Sequence, residues 1–512
     1  MKTVKARPLR GLVLAFMAAY AMPGTRCEGA AKGADMNVEL PRGELEANGV
    51  SPSRLLEFVR GLDAEVDSLH GFVLVRHGRV VAEGAWAPYD ADTPHQLWSL
   101  TKSFTSMAVG LAISEGRFGL DEPILPHFAA DAPADPPANL KAMTVRHLLT
   151  MTTGHDPEPP NDQWAKTWKT TFLAQPVPFA PGKHFVYNTP ASGMLAALVE
   201  RTTGMPIADY LKPRLFEPLG IREVIWWKVG DGTTAGGFGL HLRTPEIARF
   251  GQLLLQGGEW QGKQLVPRSW IEAATSRQVP NGDDPNNDWN QGYGYQFWMA
   301  RHGAFRGDGA FGQFCIVMRD QDAVLAVTSG TPDMGKVMQL AWDKLLPALE
   351  PGPLKSDPKG VRALGRVLAG LTLRPVASVS KPAANLVGRR FRFPDNPRGI
   401  GRIGVGPRKG GATPLDLLLG GRERTIRCGG GTWIRGHLPG EGGLEEPVAV
   451  SGGWTAPDTF TARIAHLDSS FVDTIRLVFS GDELTLEQEM NVSFGPPRLP
   501  DLRGRLEPGV GR

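Results

Sequence analysis

Apolar residues recur at helical spacing in SRLLEFVRGLDAEV, residues 53–66, which predicts a surface helix. Two runs of strand character follow, GFVLVRHG and RVVAEGAW, joined at His77-Gly78 as a tight hairpin. From Thr101 onward Phe104, Met107, Ala108, Leu111 and Ala112 again keep a helical period, and Gly116 and Gly119 supply the stop. Helical segments and loops fill residues 100–275. Three more strand-like runs come late, YGYQFWMA, FGQFCIVMRD and AVLAVTSG, before a closing helix, KVMQLAWDKLLPAL. Strands at both ends with helices between them predict an α+β fold. One antiparallel sheet is interrupted by a helical insertion lobe and covered on one face by the terminal helices.

Patterning changes twice more. Residues 351–385 are rich in Pro, Lys and Gly and read as a linker between a domain at 40–350 and a C-terminal domain at 386–512. In that last segment TFTARIAHL, FVDTIRLVF and ELTLEQEMNVSF carry strand composition between Gly/Asp turns, which predicts an all-β sandwich or barrel. At the other end Lys2, Lys5, Arg7 and Arg10 precede the 12 apolar residues GLVLAFMAAYAM, too few to span a bilayer. With Ala19-Tyr20-Ala21 as a cleavage site, residues 1–30 read as a signal peptide and leader of an exported protein, periplasmic or secreted. No later segment is apolar enough to span a membrane.

Composition narrows the chemistry. A formal charge of +3 over 512 residues gives no support for nucleic-acid binding. Cys27, Cys315 and Cys428 make no disulfide framework, and Cys315 and Cys428 read as free, partly buried thiols. No metal-binding spacing occurs, so neither a metal nor a cofactor is implied.

A serine three positions before a lysine occurs at Ser99/Lys102, Ser356/Lys359 and Ser378/Lys381. The last two lie in the linker, without a following apolar helix to bury the lysine. Ser99 stands at a helix N-terminus with Lys102 one turn on, on the same side. There the helix terminus favours developing negative charge, and a lysine among apolar walls loses its proton readily enough to act as a base. Ala449-Val450-Ser451-Gly452-Gly453 looks like a nucleophile elbow, but strand character on both sides argues for chance.

The flanks of Ser99 carry more. LWSLTKSFTSMAVGLAISEGRFGLDEPI, VRHLLTMTTGHD, APGKHFVYNTPASGMLAALVERTTGMPIADYLKPRLFEPLGI, TAGGFGLHLRTPEIARFGQLLLQGGEWQGKQLVPRSW, GYGYQFWM and GDGAFGQFCIVMRDQDAVLAVTSG follow one another over roughly 50–350. In that order they resemble the serine β-lactamase-like and penicillin-binding superfamily. The branch is that of class C β-lactamases, D-aminopeptidases, family VIII esterases and 6-aminohexanoate-dimer hydrolases. The resemblance implies a β-lactamase/transpeptidase-like fold and acyl-enzyme chemistry, with Ser99 as nucleophile and Lys102 as its activator. Tyr187 would be the proton shuttle, a role that calls for a phenol of lowered pKa. The backbone N–H groups of Ser99 and Ala310 would form the oxyanion hole.

Two departures bear on substrate. The second motif, usually Tyr-x-Asn, reads Tyr187-Asn188-Thr189, which makes Asn188 and Thr189 substrate-binding candidates. The third, usually Lys/His-Thr/Ser-Gly, reads Gly307-Asp308-Gly309. It lacks the cation that steadies a β-lactam carboxylate and leaves Asp308 and Gly309 to meet the substrate. Arg301, His302 and Arg306 are the nearby cations, each with a surface or loop role as the alternative. Trp164, Trp168 and Phe172 read as one helical face, and the corresponding family segment makes Trp164 and Asp162 pocket candidates. The expected activity is hydrolysis of a small ester or amide, as in a carboxylesterase or 6-aminohexanoate-dimer hydrolase. The alternatives are a β-lactamase or DD-peptidase, and an inactive module that binds peptide or a protein partner.

Overall fold

A computed structural model of the chain describes residues 38–383, 385–439 and 445–508. The N-terminal leader reading falls on residues 1–37, outside the described residues. Among the described residues, one antiparallel sheet runs in the order Arg79–Ala85, Leu69–Arg76, Ala323–Ser329, Gln313–Met318, Phe305–Gly309 and Trp298–Met299. The first two strands meet at His77 and Gly78, whose φ angles of 50° and 69° are the left-handed pair that a two-residue hairpin turn needs. The chain then leaves the sheet and returns beside its start, pairing Val73 with Ala326 and Val75 with Val324. This is the interrupted sheet of an α+β fold.

Alternation along the strands sorts two cores. Phe72, Leu74, Phe314, Ile316, Leu325 and Val327 pack with Leu55, Phe58, Val59, Val337 and Met338 of the terminal helices Pro52–Glu65 and Met334–Leu340. Val73, Val75, Cys315, Val317, Val324 and Ala326 face the helical lobe. Burial of each such side chain contributes roughly 1.5–3 kcal/mol. A one-residue slip would exchange the two sets, so burial fixes the register.

Three sequence expectations change. YGYQFWMA supplies only the short strand Trp298–Met299, because Tyr295 and Gln296 donate their N–H groups to Ala274 and Leu149 of the helical lobe at 3.0 and 3.1 Å. The strand next to it, Phe305–Gly309, is concealed in the sequence by two glycines that lower its strand propensity. Residues 351–385 are no bare linker. They contain the helix Pro358–Ala369, capped by Asp357 accepting from the Gly360 N–H at 2.9 Å and burying Leu364 in the terminal-helix core. Ser356 therefore does precede a helix, but it and Lys359 stay exposed.

Beyond residue 386 the chain forms a barrel, not a sandwich. From Arg390–Arg392 to Leu502–Leu506 neighbouring strands pair antiparallel, and a bridge between Gly429 and Ser451 closes nine of them, with Ile434–Pro439 added outside. Phe391, Val405, Phe460, Leu477 and Leu484 fill it. The elbow-like Ser451 is buried in a strand, its hydroxyl donating to Gly429 O at 3.0 Å and accepting from Val376 N–H at 2.8 Å. Cys315 and Cys428 are free and buried. No helix among the described residues is long and apolar enough to cross a membrane.

The docked helix makes a stability prediction. Leu364→Ala should cost about 2–5 kcal/mol, the range for a buried leucine, and lower the urea midpoint accordingly. A change within about 0.5 kcal/mol, the value for an exposed linker residue, would contradict the docking.

Candidate active site

Ser99 sits in the 3₁₀ turn Trp98–Leu100, which runs directly into the helix Thr101–Ser114. Every residue of that helix from Thr101 to Ala112 is buried. It is the axis of the lobe rather than a surface helix, so anything in its first turn is withdrawn from water. Lys102 is 1% exposed. Its Nζ donates to Ser99 Oγ at 3.1 Å, to Gly237 O at 2.9 Å and to Thr189 Oγ1 at 3.4 Å. Desolvation lowers the lysine pKa from 10.5 to about 7, against the opposing fields of Glu158 and Asp308. An amine hydrogen-bonded to a serine hydroxyl and half neutral near pH 7 is a base in position.

Tyr187 completes the group. Its hydroxyl is hydrogen-bonded to Ser99, and its ring lies 4.9 Å from Lys102 Nζ and stacks on Trp298 at 5.3 Å. The expected lowering of its pKa is not found. Burial raises it above the usual value of 10.0, helped by the Asp308 charge and opposed by the Ser99 hydrogen bond. Tyr187 is a neutral phenol that can donate a proton, while the basic member of the group is Lys102.

The strand Phe305–Gly309 closes the other side. A Cβ added at Gly309 would lie 2.0 Å from Leu97 O and 3.1 Å from Ser99 N, so the bare backbone is what lets this strand end meet the serine turn. Ala310, the oxyanion-hole candidate, is the residue that follows this contact. A Cβ at Gly307 would lie 2.4 Å from Leu100 Cδ1 and 2.5 Å from Ser103 Oγ. Leu100 and Ser103 thus occupy the space where the family's cation would start.

The remaining candidates divide. Asp308 is buried and paired, its Oδ2 accepting from Arg306 Nε and Trp289 Nε1, both at 3.0 Å. Burial raises its pKa despite the guanidinium. Arg306 is no surface residue. It is fully buried against the Trp289 ring, donating also to Asp288 O and Met299 O at 3.0 and 3.1 Å, so it serves Asp308 rather than a substrate anion. Arg301 pairs with Asp288 at 3.0 Å, and His302 packs on Trp342. Asn188 is not directed at a substrate. It caps the helix Thr189–Thr203, accepting from Ala191 N–H at 2.9 Å and donating to Thr153 Oγ1 at 3.2 Å. Thr189 is turned to Lys102.

Trp164 precedes the helix Trp168–Ala174 instead of sharing its face, and it packs with Phe238 and Trp227 at 5.6 and 6.3 Å. Phe238 follows Gly237, which keeps Trp164 near the lysine wall. Asp162 is exposed, and its backbone carbonyl accepts from Ala165 N–H at 3.1 Å. No contact brings it to Ser99.

Three participants carried no sequence signal. Glu158, in a proline-rich loop, accepts the Thr189 N–H at 2.6 Å and so puts a carboxylate at that helix's N-terminus. Gly237 supplies the carbonyl for Lys102, and a Cβ there would lie 2.7 Å from Thr189 Cγ2. Gln296, buried between elements, binds Ser103, Ser192, Leu148 and Leu149 and ties the serine helix to the rest of the lobe. Among the described residues no group of three or more His, Cys, Asp or Glu side chains is placed to hold a metal ion.

Two predictions follow from this packing. Gly309→Ala should lower kcat by roughly 10²-fold, the scale of a lost oxyanion donor, because the methyl group drives the strand from the Ser99 turn. Steady-state kinetics checks it. Lys102→Met should raise the urea midpoint at pH 7. The folded protein holds Lys102 at about 7 against 10.5 in free lysine. Between those values the unfolded chain binds the extra proton, and wild-type stability rises with pH. The advantage of the methionine variant should therefore narrow towards pH 10.

Residues 63–350 match the family model described as beta-lactamase. An uncharacterized protein of Alkalihalophilus pseudofirmus is 24% identical over 236 residues, 41% of this chain and 65% of that protein. The 6-aminohexanoate-dimer hydrolase of Paenarthrobacter ureafaciens is 26% identical over 287 residues, covering 51% of this chain and 72% of the hydrolase. Esterase EstB of Burkholderia gladioli is 28% identical over 173 residues, 30% of this chain and 44% of the esterase. The family match spans more than half of the chain and contains the whole Ser99, Lys102 and Tyr187 group, so the chain belongs to the beta-lactamase family of serine hydrolases.

Proposed function

We propose that this protein hydrolyses a small ester or amide through an acyl-enzyme on Ser99. The observation that carries the reading is the desolvated Lys102 amine, held at a pKa of about 7 and 3.1 Å from the Ser99 hydroxyl. Neutral Lys102 takes the serine proton as Oγ bonds to the carbonyl carbon. The oxyanion that forms lies against the N–H groups of Ser99 and Ala310. Tyr187 donates its phenolic proton to the leaving group and is reprotonated from Lys102. Water then enters by the same proton path and releases the acid.

Substrate preference is argued from charge. The position of the family's cation holds Gly307, Arg306 is committed to Asp308, and Glu158 adds a carboxylate beside Lys102. A carboxylate-bearing substrate such as a β-lactam would enter with no partner, at the cost of desolvating its charge. Neutral esters and amides carry no such penalty. This favours a carboxylesterase-like preference for uncharged esters and amides over a β-lactamase or DD-peptidase role; a 6-aminohexanoate dimer, whose terminal carboxylate meets the same penalty, ranks behind the neutral substrates. The complete Ser99, Lys102 and Tyr187 group weighs against an inactive binding module. The basic and apolar N-terminal pattern supports a site of action outside the cytoplasm.

Ser99→Ala should abolish turnover of short p-nitrophenyl esters, with nitrocefin a poor substrate for the wild type. Intact-mass spectrometry after exposure to esters, amides and β-lactams should show an acyl adduct on Ser99. Rapid nitrocefin turnover with slow ester hydrolysis would reverse the preference. The pH profile should show kcat/KM rising through about 7 as Lys102 loses its proton. Because Tyr187 is held above 10.0, no alkaline fall is expected before about pH 10.

A further inference from the structure

The C-terminal barrel reaches the serine turn directly. Its loop between the strands Thr459–His466 and Val472–Ser480 carries Ser470, which is fully buried. Ser470 Oγ accepts hydrogen bonds from Trp98 Nε1 and Gln313 Nε2, each at 3.0 Å. Trp98 is the residue before Ser99, held at a φ of 48° that is unfavourable for a tryptophan. Gln313 Nε2 also lies 3.0 Å from Ala310 O, to which it donates. One barrel hydroxyl thus joins the two segments whose N–H groups flank the developing oxyanion.

Further contacts hold that loop in place. Gln96 N–H donates to Asp468 O at 2.8 Å, and Asn491 Nδ2 donates to both Gly330 O and Ser470 O, at 2.6 and 2.9 Å. A Cβ at Gly330 would lie 2.0 Å from Ser470 O, so the sheet and the barrel loop meet backbone to backbone. A second barrel loop, after the strand Glu483–Met490, brings Phe494. Its ring centroid lies 5.1 Å from that of Trp98 and 4.8 Å from that of Phe311, the residue after Ala310. Yet Phe494 is 57% exposed. A large ring supported by the residues adjoining both oxyanion donors, and still open to solvent on its other face, presents apolar surface at the mouth of the site.

We propose that the barrel completes the active site: Ser470 is a positioning residue for the oxyanion hole, and Phe494 is the apolar wall that selects acyl groups with a hydrocarbon chain. The proposal rests on Ser99 being the nucleophile. It predicts that the barrel acts on the chemical step and on chain-length choice, beyond any contribution to folding.

The test is the rate of Ser99 labelling by methyl- and octyl-fluorophosphonates on the full chain. In that reaction Ser99 Oγ forms the bond to phosphorus, fluoride leaves, and Lys102 takes the serine proton. Ser470→Ala should slow both probes about equally, by roughly tenfold, the scale of a small misplacement of reacting groups. Trp98→Phe, which removes the same hydrogen bond and keeps a ring, should slow them similarly. Combined with Ser470→Ala it should add little further loss. Phe494→Ala should lower the octyl-to-methyl ratio about tenfold, whatever it does to the methyl rate. Because that side chain is exposed, this variant tests the wall even if Ser470→Ala does not fold, and Trp98→Phe then tests the positioning. Wild-type protein unlabelled at Ser99 would remove the nucleophile assignment and this proposal together. With normal wild-type labelling, an unchanged octyl-to-methyl ratio in Phe494→Ala would overturn the wall, and unchanged rates in Ser470→Ala and Trp98→Phe would overturn the positioning role.

Discussion

The withdrawal of one amine from water governs this structure. Lys102 lies in the first turn of a helix buried on all sides, and three oxygens, from Ser99, Thr189 and Gly237, receive its hydrogens. Burying a charge without compensation is costly, and the side chain meets that cost by giving up its proton near neutrality. The surrounding sequence follows from this. Gly237 has no side chain because the chain must pass within reach of the amine, and Gly309 has none because the sheet must reach the serine turn. Glu158 and Asp308 stop the pKa from falling further. A lower value would make a weaker base, and a higher one would leave the lysine protonated at working pH.

That arrangement explains what was legible in the sequence. The serine and lysine could be read because their chemistry depends on a local spacing, one helical turn, and because apolar residues follow at the helical period. The hairpin at His77-Gly78 and the strands at 313–318 and 323–329 were readable for the same reason, each being a property of adjacent residues. Glu158, Gly237 and Gln296 were not readable. Each works through a partner far along the chain, and the types involved, an acid among prolines, a glycine and a glutamine, are as common in loops as in sites. The ionisation of Tyr187 was illegible on similar grounds, since proximity to a lysine is visible in a motif and desolvation against Trp298 is not.

Composition misled where tertiary packing overrode it. Proline and glycine made 351–385 look like a linker, yet Pro358 sits in the first turn of a helix, where its missing N–H costs nothing, and Leu364 fills a gap over the terminal helices. In the strand Phe305–Gly309 glycine weakens the local preference, and pairing on both edges restores it. The helix packs on the terminal helix Pro52–Glu65, and the strand carries the glycines that meet the Ser99 turn.

The third motif shows how a lost cation changes a site beyond its own position. With glycine at 307, Leu100 Cδ1 and Ser103 Oγ occupy the space where a lysine side chain would start, so a cation there requires both to move. The adjacent Asp308 is paired with the buried Arg306, yet its charge still acts on Lys102 and Tyr187 and disfavours an anionic substrate. What remains at the site is a neutral phenol, an amine near half-protonation, a carboxylate at a helix N-terminus and, from the barrel, an aromatic surface. Such a surface binds by area and shape rather than by charge. Selection by the barrel's aromatic ring is therefore the natural counterpart of a cleft whose motif cation has gone.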